Sequence, residues 1–310
     1  MTRRAILFPG QGAQKVGMAV DLAAEFPEVA GLFEVVDEVS GLPVAETVRN
    51  GPEDKLKDTA FSQPALVLAD LAAFIAFEKT HGALEPAALA GLSLGEYAAL
   101  AAAGSLSGRE ALRLVSLRGK FMAECAAATP GAMASVLGLT ADAVMPCVEA
   151  AQSEGVVVAA NFNSPRQTVI SGENAAVEKA CELLKAAGAK RAIPLKVSGA
   201  FHSPLMAAAA EKLAPEVEKT EFAEPKFPVI ANVTGKAVKS PDEIRKALVA
   251  QVTGSVHWVG TLETMQGLGA EEYLELGPGS VLAGLTKRTL SGVEIRSLGT
   301  LEAVKGYGAS

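Results

Sequence analysis

The chain is poor in the residues that announce cross-links, metals or nucleic-acid binding. It has three cysteines in 310 residues, Cys125, Cys147 and Cys181, far apart and without metal-ligand spacing. Each falls in a helical context that suits a buried thiol, so no disulfide framework and no metal site are expected, and a reducing cytoplasm fits. Aromatic residues make up 5%, which disfavours an all-β sandwich filled by large side chains. It favours helices packed closely on a sheet through Ala and Gly. Basic residues are outnumbered, 28 Lys and Arg against 35 Asp and Glu, for a net charge of -7; a nucleic-acid protein shows the opposite balance. The first apolar run, Ala5–Phe8, stops at Pro9 and Gly10, too short for a signal peptide or a membrane span. A soluble, cytoplasmic chain is expected.

Apolar residues make up 49% and charged residues 20%, enough for one main domain with an insertion. Ala5–Phe8 predicts a buried strand ended by the turn Pro9–Gln14. A helix is expected from Pro64, as first helical residue, to about Lys79. Ala87–Gly91 reads as a strand and 91–104 as a turn opening a helix that Gly104 ends. Ser107 with Glu110 three residues on caps the next helix. Strand and helix alternating at this spacing mean an α/β fold with a mainly parallel sheet. Between 131 and 197 the order changes to strand 132–139, helix 140–153, strands 156–161 and 167–171, helix 173–188 and strand 190–196. That βαββαβ order is the ferredoxin-like unit. The expected division is a core of residues 1–129 and 198–310 with a small subdomain at 130–197; segments between 204 and 298 alternate again and complete the first sheet.

Gly91-Leu92-Ser93-Leu94-Gly95 fits the G-x-S-x-G nucleophile elbow, in which two glycines let a strand turn sharply into a helix and lift the serine oxygen clear. The string is short enough to arise by chance in an ordinary turn; the apolar strand before it and the helix after it give it weight. A serine nucleophile needs a base, and the chain has three histidines, His81, His202 and His257. His81 suits a helix end and His257 a helix start. His202, in S-G-A-F-H-S-P-L-M, leaves a strand and enters a helix, which places it at a strand's carboxyl edge, where open α/β sheets collect their sites. A structural, hydrogen-bonded histidine is the alternative. No Asp or Glu stands in an obvious orienting position, so a dyad whose imidazole is held by a backbone carbonyl is expected in place of a triad.

On the helix near 109–126, Ala111, Leu114, Val115, Met122 and Cys125 form an apolar stripe with Arg118 in its middle, opposite Arg109, Arg113, Ser116, Lys120 and Glu124. A guanidinium on the core side needs an anion or several acceptors. Either an internal carboxylate pairs it, or the partner arrives with a substrate carboxylate gripped bidentately. Gly10, Gly12 and Gly17 have the spacing of neither a dinucleotide nor a P-loop motif. A tight turn aiming the Gln11 amide into the cleft as an oxyanion donor is a better use, with the Leu94 amide as the other.

Together, F-P-G-Q-G-A-Q (8–14), G-L-S-L-G-E-Y (91–97), Arg118 in S-L-R-G, N-x-N-S-P-x-Q-x-V-I-S-G (161–172), G-A-F-H-S-P-L-M (199–206) and E-L-G-P-G (275–279) resemble the malonyl-CoA:acyl carrier protein transacylases of fatty-acid synthesis and the acyltransferase domains of polyketide synthases. The resemblance runs through nearly the whole chain in order. It implies a hydrolase-like α/β core with a ferredoxin-like insertion, acylation of Ser93, His202 as base and Arg118 on the malonyl carboxylate. It further implies an oxyanion hole from the Gln11 and Leu94 amides, the Gln251 carbonyl orienting His202, and Phe201 as the malonyl-selective version of its motif. The implied partners are malonyl-CoA and an acyl carrier protein, with no resident cofactor, no membrane and a monomeric chain. One departure stands out: Leu92 replaces a histidine frequent in relatives. Two rivals stay open at this stage, a serine esterase or thioesterase with water as acceptor and a non-catalytic carrier-binding relative. Lys190, Arg191, Lys287 and Arg288 suit an acidic partner or simply a solvated face.

Overall fold

The computed structural model describes residues 2–308. Its strands in chain order are β1 (Arg4–Phe8), β2 (Ala88–Gly91), β3 (Ala132–Leu137), β4 (Val157–Ser164), β5 (Gln167–Gly172), β6 (Arg191–Pro194), β7 (Val229–Ala231), β8 (Lys236–Val238), β9 (Glu272–Glu275) and β10 (Glu294–Ser297). They form two sheets, one ordered β10-β9-β1-β2-β7-β8 and one ordered β4-β5-β3-β6. The first is parallel from β10 to β7, and only β8 runs antiparallel at its edge. Alternation along β1 sends Ile6 and Phe8 into a core shared with Leu66, Leu100 and Leu114, and Ala5 and Leu7 into a second core with Trp258 and Leu282. Both faces are covered, which is why the central strands read as unbroken apolar runs.

Helix Thr59–His81 is long and apolar enough to cross a membrane, but 78% of its apolar window is buried inside the fold. It is a core helix, and each fully buried Leu or Val on it contributes about 1.5–3 kcal/mol. It starts five residues before Pro64. The Asp58 carboxylate accepts from the Ala60 amide at 2.8 Å and caps it. Pro64 therefore sits inside the helix, where it forgoes one backbone bond near the amino end. The helices Val20–Glu25, Pro27–Ser40, Val44–Asn50 and Glu53–Lys57 were not anticipated from sequence, nor were β8 and Leu301–Gly306. Pro27–Ser40 nevertheless carries legible signals, Pro at its first position and Gly41 at φ 65° after its last, and buries Val29, Phe33 and Val36. Two smaller expectations need correction: Cys147 and Cys181 are half-buried, with Cys125 alone fully buried, and Ser116 is buried because its hydroxyl bonds back to the Leu112 carbonyl at 2.6 Å.

The second sheet, with helices Ala141–Ala151 and Asn174–Ala186, is the ferredoxin-like unit. Both helices lie on one face, over Ala134, Val136 and Ile170. The other face looks onto the first unit. The two are stitched where the Val256 amide donates to the Ala160 carbonyl at 2.8 Å and the Phe162 amide to the Val256 carbonyl at 2.9 Å.

Between β2 and helix Gly95–Ala102 the chain turns so tightly that side chains are excluded. A Cβ on Gly91 would stand 1.9 Å from the Gly95 carbonyl carbon, and one on Gly95 would stand 2.5 Å from the Phe8 oxygen. The two glycines of the G-x-S-x-G string are thus required by contact within the turn and with β1. Gly91→Ala should lower stability by at least the roughly 1–3 kcal/mol of ordinary overpacking, read as a lower urea midpoint or loss of cooperative unfolding; an unchanged midpoint would show that the turn can open.

Candidate active site

The carboxyl ends of β1, β2 and β7 meet at one edge of the parallel sheet, where crevices of open α/β sheets lie. Ser93 stands at the end of β2 with φ 55°, a left-handed conformation costing an L-residue about 1–2 kcal/mol. Asn232, just past β7, holds it there. Its Oδ1 accepts from the Ser93 amide at 2.7 Å, and its Nδ2 donates to the Gly91 carbonyl at 2.8 Å. The turn after β1 packs on the elbow from the other side: a Cβ on Gly10 would lie 2.5 Å from the Leu92 oxygen. Leu92 lines the cleft beside Ser93. Among the described residues, neither the Leu94 amide nor the Gln11 amide donates to a protein acceptor, so both are free to serve as donors at this edge.

His202 also has φ 55°. It does not sit at the edge of the parallel sheet by its own strand, as the sequence suggested. The preceding strand is β6 of the small sheet, and a loop from Leu195 to Ser203 carries the chain back to the core. The imidazole Nε2 lies 2.8 Å from Ser93 Oγ, and Nδ1 lies 2.8 Å from the Gln251 carbonyl oxygen. A carbonyl can only accept, so Nδ1 carries the proton and Nε2 presents its lone pair to the serine hydroxyl. Gln251 is in the last turn of helix Pro241–Thr253. Its carbonyl has no intrahelical donor, and it stands at the negative end of the helix dipole. The helix end does the orienting work that a triad gives to an acid. Burial, and then the Arg118 cation, push the imidazole down to about 4 against its contacts with Gln251 and Gly254. It is therefore a neutral base at pH 7.

Arg118 is 1% exposed. Its Nη1 donates to Gln63 Oε1 at 2.5 Å, and its Nη2 donates to Gln251 Oε1 at 2.9 Å and to Ser93 Oγ at 3.0 Å. Those acceptors are all neutral, and its buried Nε has no partner among the described residues. Because the guanidinium only donates, Ser93 Oγ accepts from it, and the hydroxyl hydrogen is left for His202. Of the two readings of this arginine, an internal carboxylate partner is the one the geometry does not provide.

Three residues of the site went unnoticed in the sequence. Gln63 lies on the core helix. Glu96 follows the elbow and is buried; its Oε2 accepts from the Asn232 amide at 3.0 Å and from Gln251 Nε2 at 2.7 Å. Burial pushes its carboxyl up to about 7, opposed by these two hydrogen bonds and by Arg118. The Gln251 side chain was missed as well; its Nε2 also donates to the Ser93 carbonyl at 2.9 Å. Glu96 lies within the recognisable elbow string and could have been suspected there. Asn232 has no local signal, since only the pairing of β2 with β7 brings it to Ser93. His81 bonds to the Val304 carbonyl and His257 stacks on Phe162, both away from the cleft.

The cleft has a volume of about 330 Å³. Ser93, His202 and Arg118 lie at its base with Met122 and Phe201, while Met133, Asn161, Asn163 and Val169 of the small sheet form one wall. Gln11, Gly12, Gln14 and Leu92 form another, and Lys57, Leu195, Lys196 and Val197 complete the lining. The Asn163 Oδ1 is buried and has no partner among the described residues.

A family model described as the acyl transferase domain matches residues 6–302. The chain is 46% identical over 289 residues to the malonyl CoA-acyl carrier protein transacylase of Escherichia coli (strain K12), covering 93% of each. It superposes on the solved malonyl CoA-acyl carrier protein transacylase of Coxiella burnetii with a TM-score of 0.93 at 40% identity, covering 98% of this chain and 96% of that one. It matches equally, with a TM-score of 0.93 at 42% identity and 98% of both chains, a malonyl-transacylase solved in complex with its type II polyketide acyl-carrier protein.

The depressed imidazole has a consequence for pH. At His202 the unfolded chain holds a proton that the folded one has released between about 4 and 6.5. His202 thus contributes stability at neutral pH that is lost as pH falls through that window. An NMR titration of the His202 ring should show it neutral down to about pH 5 and titrating near 4; titration near 6.5 would mean that water reaches the ring.

Proposed function

The chain belongs to the acyl transferase domain family, and on that footing we propose that it moves a malonyl group from coenzyme A to the phosphopantetheine thiol of an acyl carrier protein, a step of fatty-acid biosynthesis in the cytoplasm. The observation that carries the malonyl assignment is Arg118. A dry cation with an unused Nε stands 3.0 Å from Ser93 Oγ and is held by neutral oxygens. A carboxylate on the acyl group supplies the anion it lacks, as one bidentate pair.

In the first half-reaction the Ser93 hydroxyl gives its proton to His202 Nε2 as Oγ attacks the thioester carbonyl. The amides of Gln11 and Leu94 receive the oxyanion; one such donor is worth about 10²–10³ in rate. The imidazolium that forms is stabilised by the Gln251 carbonyl at its helix end. The carbon–sulfur bond breaks, coenzyme A leaves with the proton from His202, and malonyl remains as a Ser93 ester. In the second, His202 takes the proton of the carrier's thiol, sulfur attacks the ester, and the proton returns to Ser93 Oγ as the carbon–oxygen bond breaks. Phe201, buried beside His202, limits the room next to the acyl carbon and selects against branched extender units. These steps use no resident metal or redox cofactor, and the nucleophile, base, cation and oxyanion donors all come from one chain.

Brief exposure to malonyl-CoA should add one malonyl mass to the intact protein, and Ser93→Ala should abolish it; an unmodified wild-type chain, or free malonate as the main product with carrier present, would sink the reading. Arg118→Ala should reduce malonyl transfer relative to acetyl transfer by about 10²-fold, the equivalent of about 3 kcal/mol for a lost buried pair. Equal losses for both acyl groups would make Arg118 structural.

A further inference from the structure

Ser93 is held at φ 55° by bonds to both of its main-chain polar groups. Its amide donates to Asn232 Oδ1 at 2.7 Å, and its carbonyl accepts from Gln251 Nε2 at 2.9 Å and from the Glu96 amide at 3.1 Å. Asn232 follows β7 and Gln251 lies near the end of helix Pro241–Thr253, so the elbow itself places neither. What joins them is the Glu96 side chain, in the first turn of helix Gly95–Ala102. Its Oε2 accepts from the Asn232 amide at 3.0 Å and from Gln251 Nε2 at 2.7 Å. A closed ring of hydrogen bonds thus runs from the Ser93 amide through Asn232, Glu96 and Gln251 back to the Ser93 carbonyl. Glu96 is 2% exposed, and Asn232 and Gln251 are fully buried, so water does not compete for these bonds. A main-chain amide and a side-chain NH2 only donate, and the member between them must accept from both. A carboxyl oxygen does so whether the group is ionised or carries a proton on its other oxygen.

We propose that Glu96 is the positioning residue of the nucleophile: through Asn232 and Gln251 it keeps Ser93 in the left-handed conformation that sets Oγ against His202 Nε2. The proposal rests on the reading of Ser93 as the acylated residue and adds what holds that serine in place. Glu96 touches no substrate and passes no proton. Its effect is on geometry, and a misplacement of Oγ by about 1 Å is enough to cost about 10²-fold in rate. The strain of a left-handed serine persists only while its surroundings over-determine it, and the acceptor oxygen of Glu96 is where those surroundings are joined.

Two variants separate reach from charge. Glu96→Gln keeps an acceptor oxygen at full length and removes the charge, whereas Glu96→Asp keeps the carboxyl and is one methylene too short to meet both donors. Single-turnover acylation at saturating malonyl-CoA or acetyl-CoA should be slower in Glu96→Asp than in Glu96→Gln by about tenfold, the loss expected for one such hydrogen bond. The two acyl groups should lose alike, and the amplitude should still approach one acyl group per chain, so that rate falls and folded fraction does not. Glu96→Asp as fast as Glu96→Gln would overturn the proposal. A loss confined to malonyl would also overturn it, by moving the effect to Arg118, and so would a reduced amplitude at unchanged rate, which would make Glu96 structural. Amide hydrogen exchange gives a second reading that needs neither variant nor turnover. The Ser93 and Asn232 amides of the wild type should exchange slowly and together, and a Ser93 amide that exchanges freely while Asn232 stays protected would show the ring to be open. Failure of the wild-type chain to take up either acyl group would strike the transfer reading, and the exchange of these two amides would then decide whether Glu96 holds Ser93.

Discussion

A guanidinium kept in a dry site by neutral oxygens is the constraint around which the catalytic edge is arranged. Arg118 projects from the apolar side of its helix, so three separate elements must supply oxygens: Gln63 from the core helix, Gln251 from the helix ahead of Ser255, and Ser93 from the elbow. None neutralises it. The nearest carboxyl in this network, Glu96, is one side chain further out, beyond Gln251. A charge left this way is costly by several kcal/mol unless an anion arrives, and the same charge helps keep His202 neutral and draws Glu96 towards ionisation.

Gln251 ties these parts into one unit. Its side-chain nitrogen can only donate, and it faces the Ser93 carbonyl and Glu96. Its side-chain oxygen is thereby turned to Arg118, and its main-chain oxygen, left over at a helix end, takes the imidazole N–H. A flip would set the amide oxygen against the Ser93 carbonyl and Glu96, and the amide nitrogen against the Arg118 donor. The two catalytic candidates, Ser93 and His202, both hold left-handed backbone conformations, and such strain persists only where the surroundings over-determine it. Asn232 does this for the serine, and the hydrogen bond to Gln251 for the histidine.

The small sheet contributes part of the cleft lining. Its helices cover one face, and the other supplies Met133, Asn161 and Val169 to the cleft wall. The bridge from β4 to Val256 fixes that wall to the same segment that follows Gln251, so substrate wall and base-orienting carbonyl are held in common register.

Much of this was written in local sequence. The elbow string, with glycines that contact forbids replacing, is a property of a few consecutive residues, and so is the capped helix that begins after Ser107. The βαββαβ order of the small sheet follows from periodicity alone, and Arg118 on an apolar stripe could be seen at 100° per residue. The Asp58 cap that starts the core helix ahead of Pro64, and the chain of helices before it, were local too, but their short lengths and mixed faces gave weak periodicity. What no window of sequence contains is the choice of partner across the fold. Asn232 reaches Ser93 only because β7 lies beside β2, Glu96 meets Gln251 across 155 positions, and Arg118 ended with amide oxygens instead of a carboxylate. Side-chain identity and local backbone geometry are set over a few residues, whereas the hydrogen-bond partners that decide charge and orientation are set by which distant elements pack together.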